Sequence, residues 1–148
     1  MKYESYSEFA FTEDFSVIDF ISIGKNGPIP KRITFTTTEL ENVYNLAFGD
    51  VDLNGEIDDY RISDNGDRNK ILSTVVKVVD DYTRKYPERW ILIRGSTKER
   101  TRLYRMAIGN NLEELTSKFD IYVFTNEELI VFAKNMEINA FLIKRKNV

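Results

Sequence analysis

The sequence predicts an α+β fold: a mixed, largely antiparallel sheet with two main helices and a β-α-β-α-β segment. Three observations predict it. Residues 5–48 are rich in aromatic and β-branched side chains in partial alternation, the pattern of strands. Residues 71–86 and 97–119 instead repeat their apolar positions at helical spacing. Between them, Trp90-Ile91-Leu92-Ile93 is a short, continuous apolar run, the mark of a strand buried on both faces.

Taken in order, Phe9, Phe11, Phe15, Val17, Ile18, Phe20, Ile21 and Ile23 predict one or two strands. Gly24-Lys25-Asn26-Gly27-Pro28 is a turn, and Lys31 to Thr36 alternates as a strand that can pair back onto 15–23. Val43 to Phe48 leads into another strand. Asn54-Gly55, the strongest hairpin dipeptide in the chain, joins it to Glu56 through Ile62. Ile71, Leu72, Val75, Val76, Val78, Val79, Tyr82 and Tyr86 then mark a helix, with Asp64-Asn65-Gly66-Asp67 before it and Pro87 just past its end. After Trp90–Ile93, Ser96-Thr97-Lys98-Glu99 reads as a capping box. The helix it opens runs through Leu103, Tyr104, Met106, Ala107 and Ile108. It is interrupted near Gly109-Asn110-Asn111 and resumes from Leu112 to Phe119. Residues 121–124, 129–132 and 140–143 read as closing strands, with parallel pairing around Trp90–Ile93.

A chain of 148 residues without linkers, repeats or low-complexity tracts reads as one domain, 1–148. It contains no cysteine and no histidine. That removes thiolate chemistry, disulfides, the commonest general base and any Ser-His-Asp mechanism. No metal site is expected. No stretch approaches the roughly 20 apolar residues of a membrane span, and the polar N-terminus lacks a signal-peptide core, so the expected location is cytoplasmic. A net charge of −3 argues against nucleic acid and anionic membranes as partners. The charge is uneven: residues 1–68 carry −8 and residues 69–148 carry +5, with the basic charge densest from Arg84 to Arg105. These segments are two solvated faces, or they pair with each other in the fold or in a homodimer, or the basic one holds an anion.

Three constellations could carry chemistry. Asp50-Val51-Asp52-Leu53-Asn54-Gly55-Glu56-Ile57-Asp58 fits the first nine positions of an EF-hand loop, but its closing position is Arg61, which repels calcium. An acidic Asn-Gly hairpin accounts for the same residues. Ser63 to Lys70 precedes a helix, and Gly66 with Arg68 could meet an anion there; an ordinary helix cap is the simpler reading. Arg94-Gly95-Ser96-Thr97, with Arg100 one turn on, opens a helix directly after the central strand, where open α/β sheets place ligands. A glycine, two hydroxyls and two arginines at a helix start suit an anion, and a capped helix with basic surface residues explains them equally. Asp58-Asp59 and Asp80-Asp81 are adjacent in sequence and point apart, so neither forms an acid/base pair.

Leu46-Ala47-Phe48-Gly49-Asp50, Gly55-Glu56-Ile57-Asp58-Asp59, Asn65-Gly66-Asp67, Gly95-Ser96-Thr97 and Arg100-Thr101-Arg102-Leu103-Tyr104-Arg105-Met106 together resemble a small family of bacterial proteins of unknown function, over nearly the whole chain. The element order more loosely resembles the GNAT acetyltransferase fold. Thr101-Arg102-Leu103-Tyr104 is similar to the Leu-Tyr part of that family's helix motif, and the resemblance implies Tyr104 as a catalytic general acid. Ser63 to Lys70 takes the place of its pyrophosphate loop without the Gln/Arg-x-x-Gly-x-Gly/Ala pattern.

The expected function is binding of a small anionic ligand, or of a protein partner, at the Gly95–Arg105 helix start. The alternatives are a divergent acyltransferase using acetyl-CoA and a non-catalytic dimeric interaction or regulatory module. The residues specify no cofactor.

Overall fold

The computed structural model describes residues 2–58, 64–95, 97–125, 128–132 and 139–147. The fold is α+β. A first short strand, β1 (Ala10–Phe11), precedes β2 (Val17–Gly24), β3 (Gly27–Thr37), β4 (Val43–Val51) and a two-residue β5 (Ile57–Asp58). Then come α1 (Arg68–Lys85), β6 (Trp90–Ile93), α2 (Lys98–Asn110), α3 (Leu112–Lys118), β7 (Phe119–Thr125), β8 (Glu128–Val131) and β9 (Ala140–Arg145). One sheet holds every strand in the order β1-β2-β3-β4-β6-β9-β7-β8, with β5 added to β4. All pairings are antiparallel except β4 with β6. That parallel pair is the one joined by a long helical crossover, as a parallel connection requires.

Alternation decides which face is buried. Ile18 and Phe20 in β2, Ile33 and Phe35 in β3, Leu46 and Phe48 in β4, and Ile91 and Ile93 in β6 share one phase and are buried. The apolar stripe of α1 lies on them: Val75, Val78 and Val79 are buried, and the Tyr82 ring stacks on Phe35 at 3.7 Å between centroids. Val75, Tyr104, Ala107, Leu115, Phe119 and Ile121 enclose one small apolar cavity, so all three helices lie on this face. The N-terminal segment follows them. Tyr6 packs against Phe20, and its backbone amide donates to the Thr74 hydroxyl at 2.8 Å.

The structure departs from the sequence reading at three places. The interruption at Gly109-Asn110-Asn111 produces a separate short helix, α3, so there are three helices among the described residues. The Asn54-Gly55 hairpin exists, with Gly55 at φ +77, but it spans Asp52 to Glu56 because the Asp52 carboxylate accepts the Asn54 and Glu56 amides. The strand after it is two residues long within the described residues; the remainder expected up to Ile62 lies outside them, as does Arg61. The third departure concerns Trp90–Ile93. Its burial alternates, with Ile91 and Ile93 buried and Trp90 and Leu92 half-exposed on the far face of the sheet, where no described helix lies.

Candidate functional site

The parallel pair creates the site. β4 lies beside β6 over Val43–Leu46 and beside β5 only at Asp50–Val51. Between these two pairings, the Phe48 carbonyl faces a notch. Arg100, 7% exposed, fills it: its Nη1 donates to that carbonyl at 3.2 Å, and its guanidinium lies 5.5 Å from the Phe48 ring centre. Beyond the notch, a groove of about 680 Å³ opens between the start of α1 and the first two turns of α2. That volume is within the range of small-molecule sites.

The groove has three walls. Its floor is Phe48 and Lys31, whose ammonium is paired with the Asp50 carboxylate; the two side chains are 6% and 2% exposed. Neighbouring register positions on β3 and β4 place this pair in the core phase of both strands. One flank is Asp64 through Asn69 with Ile71 and Leu72. The other is Glu99, Arg100, Arg102, Leu103 and Met106.

The α1 flank is held open by local hydrogen bonds. Asn65 is 2% exposed and acts as a clamp: its Oδ1 accepts the Asn26 amide at 2.7 Å, and its Nδ2 donates to Ser22 Oγ at 3.0 Å and the Gly27 carbonyl at 2.9 Å. The contact is so close that a Cβ on Gly24 would stand 1.9 Å from the Asn65 carbonyl oxygen. Asp67 occupies the N-cap of α1 but makes no side-chain cap bond. Its carboxylate turns away, accepting the Ser22 hydroxyl at 2.6 Å and the Tyr6 hydroxyl, and its Oδ1 is buried without a partner among the described residues. Burial, and then the bond to Asp67, push the Tyr6 phenol above its ordinary pKa. The first turn of α1 holds no acidic residue and begins with Arg68. An 18-residue helix therefore ends on the groove with its amides uncapped by any side chain and its positive dipole end uncompensated by a first-turn acid.

The start of α2 is different. Thr97 is its N-cap, and the Thr97 hydroxyl accepts the Arg100 amide at 3.1 Å. Gly95 folds onto this turn so tightly that a Cβ there would stand 2.3 Å from the Thr101 nitrogen. The turn packs against its own helix instead of opening in front of it.

The chain belongs to DUF6934, a family of unknown function. Its family model matches residues 2–146. No curated protein matches the chain, and no solved structure does. Of the residues expected to hold an anion, the structure gathers Gly66, Arg68 and Arg100 into the groove. Arg94, Gly95 and Thr97 are not part of its lining, and Ser96 lies outside the described residues. Tyr104 is 6% exposed and lines the small apolar cavity under α1, not the groove. No described helix is long and apolar enough to cross a membrane.

Several groove residues escaped the sequence reading of the site: Lys31, Phe48, Ile71, Leu72 and Met106. Two of the charged neighbours left a readable signal. Lys31 is in phase with Ile33 and Phe35, and Asp50 is in phase with Leu46 and Phe48. Opposite charges at core positions of adjacent strands point to a buried pair.

Proposed function

We propose that the protein binds a small, partly apolar molecule carrying an anionic group in the groove between α1 and α2. The observation that carries this reading is the start of α1, where the N-cap carboxylate is drawn off to Tyr6 and Ser22 and the first turn offers free amides beside Arg68. Such a helix start favours an anion through aligned N–H donors and the helix dipole. Arg68 and the exposed Arg102 provide charge from the two flanks, while Lys31 on the floor is neutralised by Asp50. Phe48, Ile71, Leu72, Leu103 and Met106 give the apolar part of the ligand a surface to cover. Position supports the same reading, since the groove lies beyond the carboxyl ends of the parallel strands β4 and β6.

The acyltransferase alternative uses the same groove for a phosphopantetheine donor. Gly66 and Arg68, which stand in the segment that takes the place of the pyrophosphate loop in the GNAT resemblance, line that groove. Tyr104 lines the small apolar cavity and not the groove, so the binding reading needs no catalytic role for it.

Thermal unfolding with phosphate, nucleoside phosphates and CoA tests the proposal, because a ligand specific to the folded state raises stability by RT ln(1 + [L]/Kd). At least one of these anions is expected to raise the unfolding temperature, and Arg68→Ala is expected to weaken that response by about tenfold in concentration, the equivalent of about 1.4 kcal/mol. No stabilisation of the wild type, or an unchanged response in Arg68→Ala, would refute it.

A further inference from the structure

We infer that residues 2–9 form a strap that regulates the groove, with Tyr6 as its positioning residue: the Tyr6 hydroxyl holds the Asp67 carboxylate off the first-turn amides of α1. The inference rests on the reading of the groove as an anion site. Residues 2–9 run without helix or strand and are tied down at a few points. The Lys2 amide donates to Asn111 Oδ1 at 3.0 Å, the Tyr6 amide donates to Thr74 Oγ1 at 2.8 Å, and the Tyr6 and Phe9 rings pack on Phe20. Tyr6 makes the most of these contacts. The Lys70 ammonium lies 4.3 Å from its ring centre, and its hydroxyl accepts the Ile23 amide at 3.0 Å. A phenol has one hydrogen to give. It goes to the Asp67 carboxylate, which is charged and nearer than the Ile23 carbonyl at 3.4 Å.

Asp67 is where the strap meets the groove, since Asp67 lines the groove and Tyr6 does not. Aspartate is among the best N-cap residues, through a bond from its carboxylate to the second or third amide of the helix. For α1 those amides belong to Asn69 and Lys70. The two helix starts show the two arrangements. Thr97, whose hydroxyl caps α2, has ψ 166°, whereas Asp67, whose carboxylate makes no cap bond, has ψ 29°. The diverted carboxylate leaves Oδ1 buried without a partner among the described residues, which is unfavourable by itself. Two hydroxyls offset that cost. Ser22 is fully buried and belongs to the Asn65 clamp, whereas Tyr6 belongs to a segment held mainly by side chains. Without the Tyr6 hydroxyl, rotation at Asp67 ψ brings the carboxylate onto the Asn69 and Lys70 amides. It then takes the donors an anion would use and sets a negative charge in front of them. The seated strap is therefore the open state of the site, and the released strap is the closed one.

The test compares wild type, Tyr6→Phe, Asp67→Ala and the double variant. Tyr6→Phe keeps the ring against Phe20 and Lys70 and removes only the hydroxyl, so its circular dichroism should match the wild type. Hydrogen exchange reads the cap without any ligand. In Tyr6→Phe the Asn69 or Lys70 amide is expected to exchange several-fold more slowly, and the double variant is expected to lose that protection. Titration with inorganic phosphate and adenosine diphosphate reads the site. Tyr6→Phe is expected to raise the dissociation constant about fivefold, the equivalent of one capping bond. Asp67→Ala alone should bind at least as tightly as the wild type, and adding Tyr6→Phe to it should change nothing, because Tyr6 acts through Asp67. Unchanged exchange or unchanged affinity in Tyr6→Phe overturns the inference. So does an equal loss of affinity with and without the Asp67 carboxylate, which makes Tyr6 a packing residue. A wild type that binds neither anion overturns the reading of the groove instead, and the exchange of Asn69 and Lys70 still decides whether Tyr6 holds the carboxylate.

Discussion

The two ends of α1 lie toward opposite ends of the strands beneath it, Asp67 beside Ser22 and Tyr82 beside Phe35, and they are built differently. At its C-terminal end, charge and aromatic surface are matched. Asp80 is held by Arg145, Lys118 and Arg84, and Tyr82 stacks on Phe35 while its hydroxyl accepts Arg89 Nη1 at 2.8 Å. Arg89 in turn sits between the rings of Tyr44 and Tyr86, 4.1 and 3.7 Å from their centres. At the N-terminal end the cap carboxylate is diverted, one of its oxygens is buried without a partner, and a groove lies alongside. One end of the helix closes the core. The other leaves hydrogen-bonding capacity facing a cavity, which is what a binding site requires and a purely structural helix end avoids.

Breaking the closed end should have the largest effect. Tyr82→Ala removes a side chain 1% exposed and is expected to cost about 3–5 kcal/mol, read from the urea midpoint at constant slope. A loss under about 1 kcal/mol would show that this end is loosely packed.

Gly95 comes next, in the turn between β6 and α2. A valine there would drive its Cβ into the Thr101 nitrogen, and about 2 kcal/mol of destabilisation is expected. A neutral urea midpoint would show that the turn relaxes. The sequence reading left two reasons for a glycine here, positive φ or close backbone. Positive φ occurs at Gly27, Gly55 and Gly66, and Gly95 is needed for the close approach.

A smaller effect separates the two ends by pH. Burial pushes the Asp80 carboxyl up, but the Arg145 hydrogen bond and the charges of Lys118, Arg145 and Arg84 outweigh it, so the group lies below its ordinary pKa. A carboxyl lowered on folding stabilises the protein above its unfolded pKa and loses that contribution as pH falls toward its folded one. Asp80→Asn should therefore remove about 1–3 kcal/mol at neutral pH and flatten the decline in stability below about pH 5. An unchanged acid profile would remove Asp80 from the account.

The smallest change in stability belongs to the open end. Arg68 is exposed, so Arg68→Ala should move the urea midpoint by no more than about 0.5 kcal/mol while weakening anion binding. Marked destabilisation without loss of binding would make Arg68 a structural residue.

How much of this the sequence carried depended on whether a signal was local. Helical periodicity placed α1 and α2, and the Gly109-Asn110-Asn111 interruption was visible as a break, because these patterns lie within one segment. The parallel position of Trp90–Ile93 followed from the crossover rule. The groove was half legible. Gly66, Arg68 and Arg100 were expected as two separate anion sites at two helix starts, and the fold merges them. The pairing that brings them together is long-range, and so is the Asn65 clamp onto the Gly24–Gly27 turn, which no local pattern announces. Thr97 was expected to help hold an anion, but its hydroxyl caps its own helix. The half-exposure of Trp90 and Leu92 was not legible, because a short apolar run reads alike whether or not a second layer covers it.

The most direct test of the open end is a titration of ¹⁵N-labelled protein with inorganic phosphate and with adenosine diphosphate, followed by amide chemical shifts. The account predicts saturable shifts centred on the backbone amides of Arg68, Asn69 and Lys70, with Arg102 responding across the groove. Saturable shifts confined to other amides, or none at the first turn of α1, would contradict it.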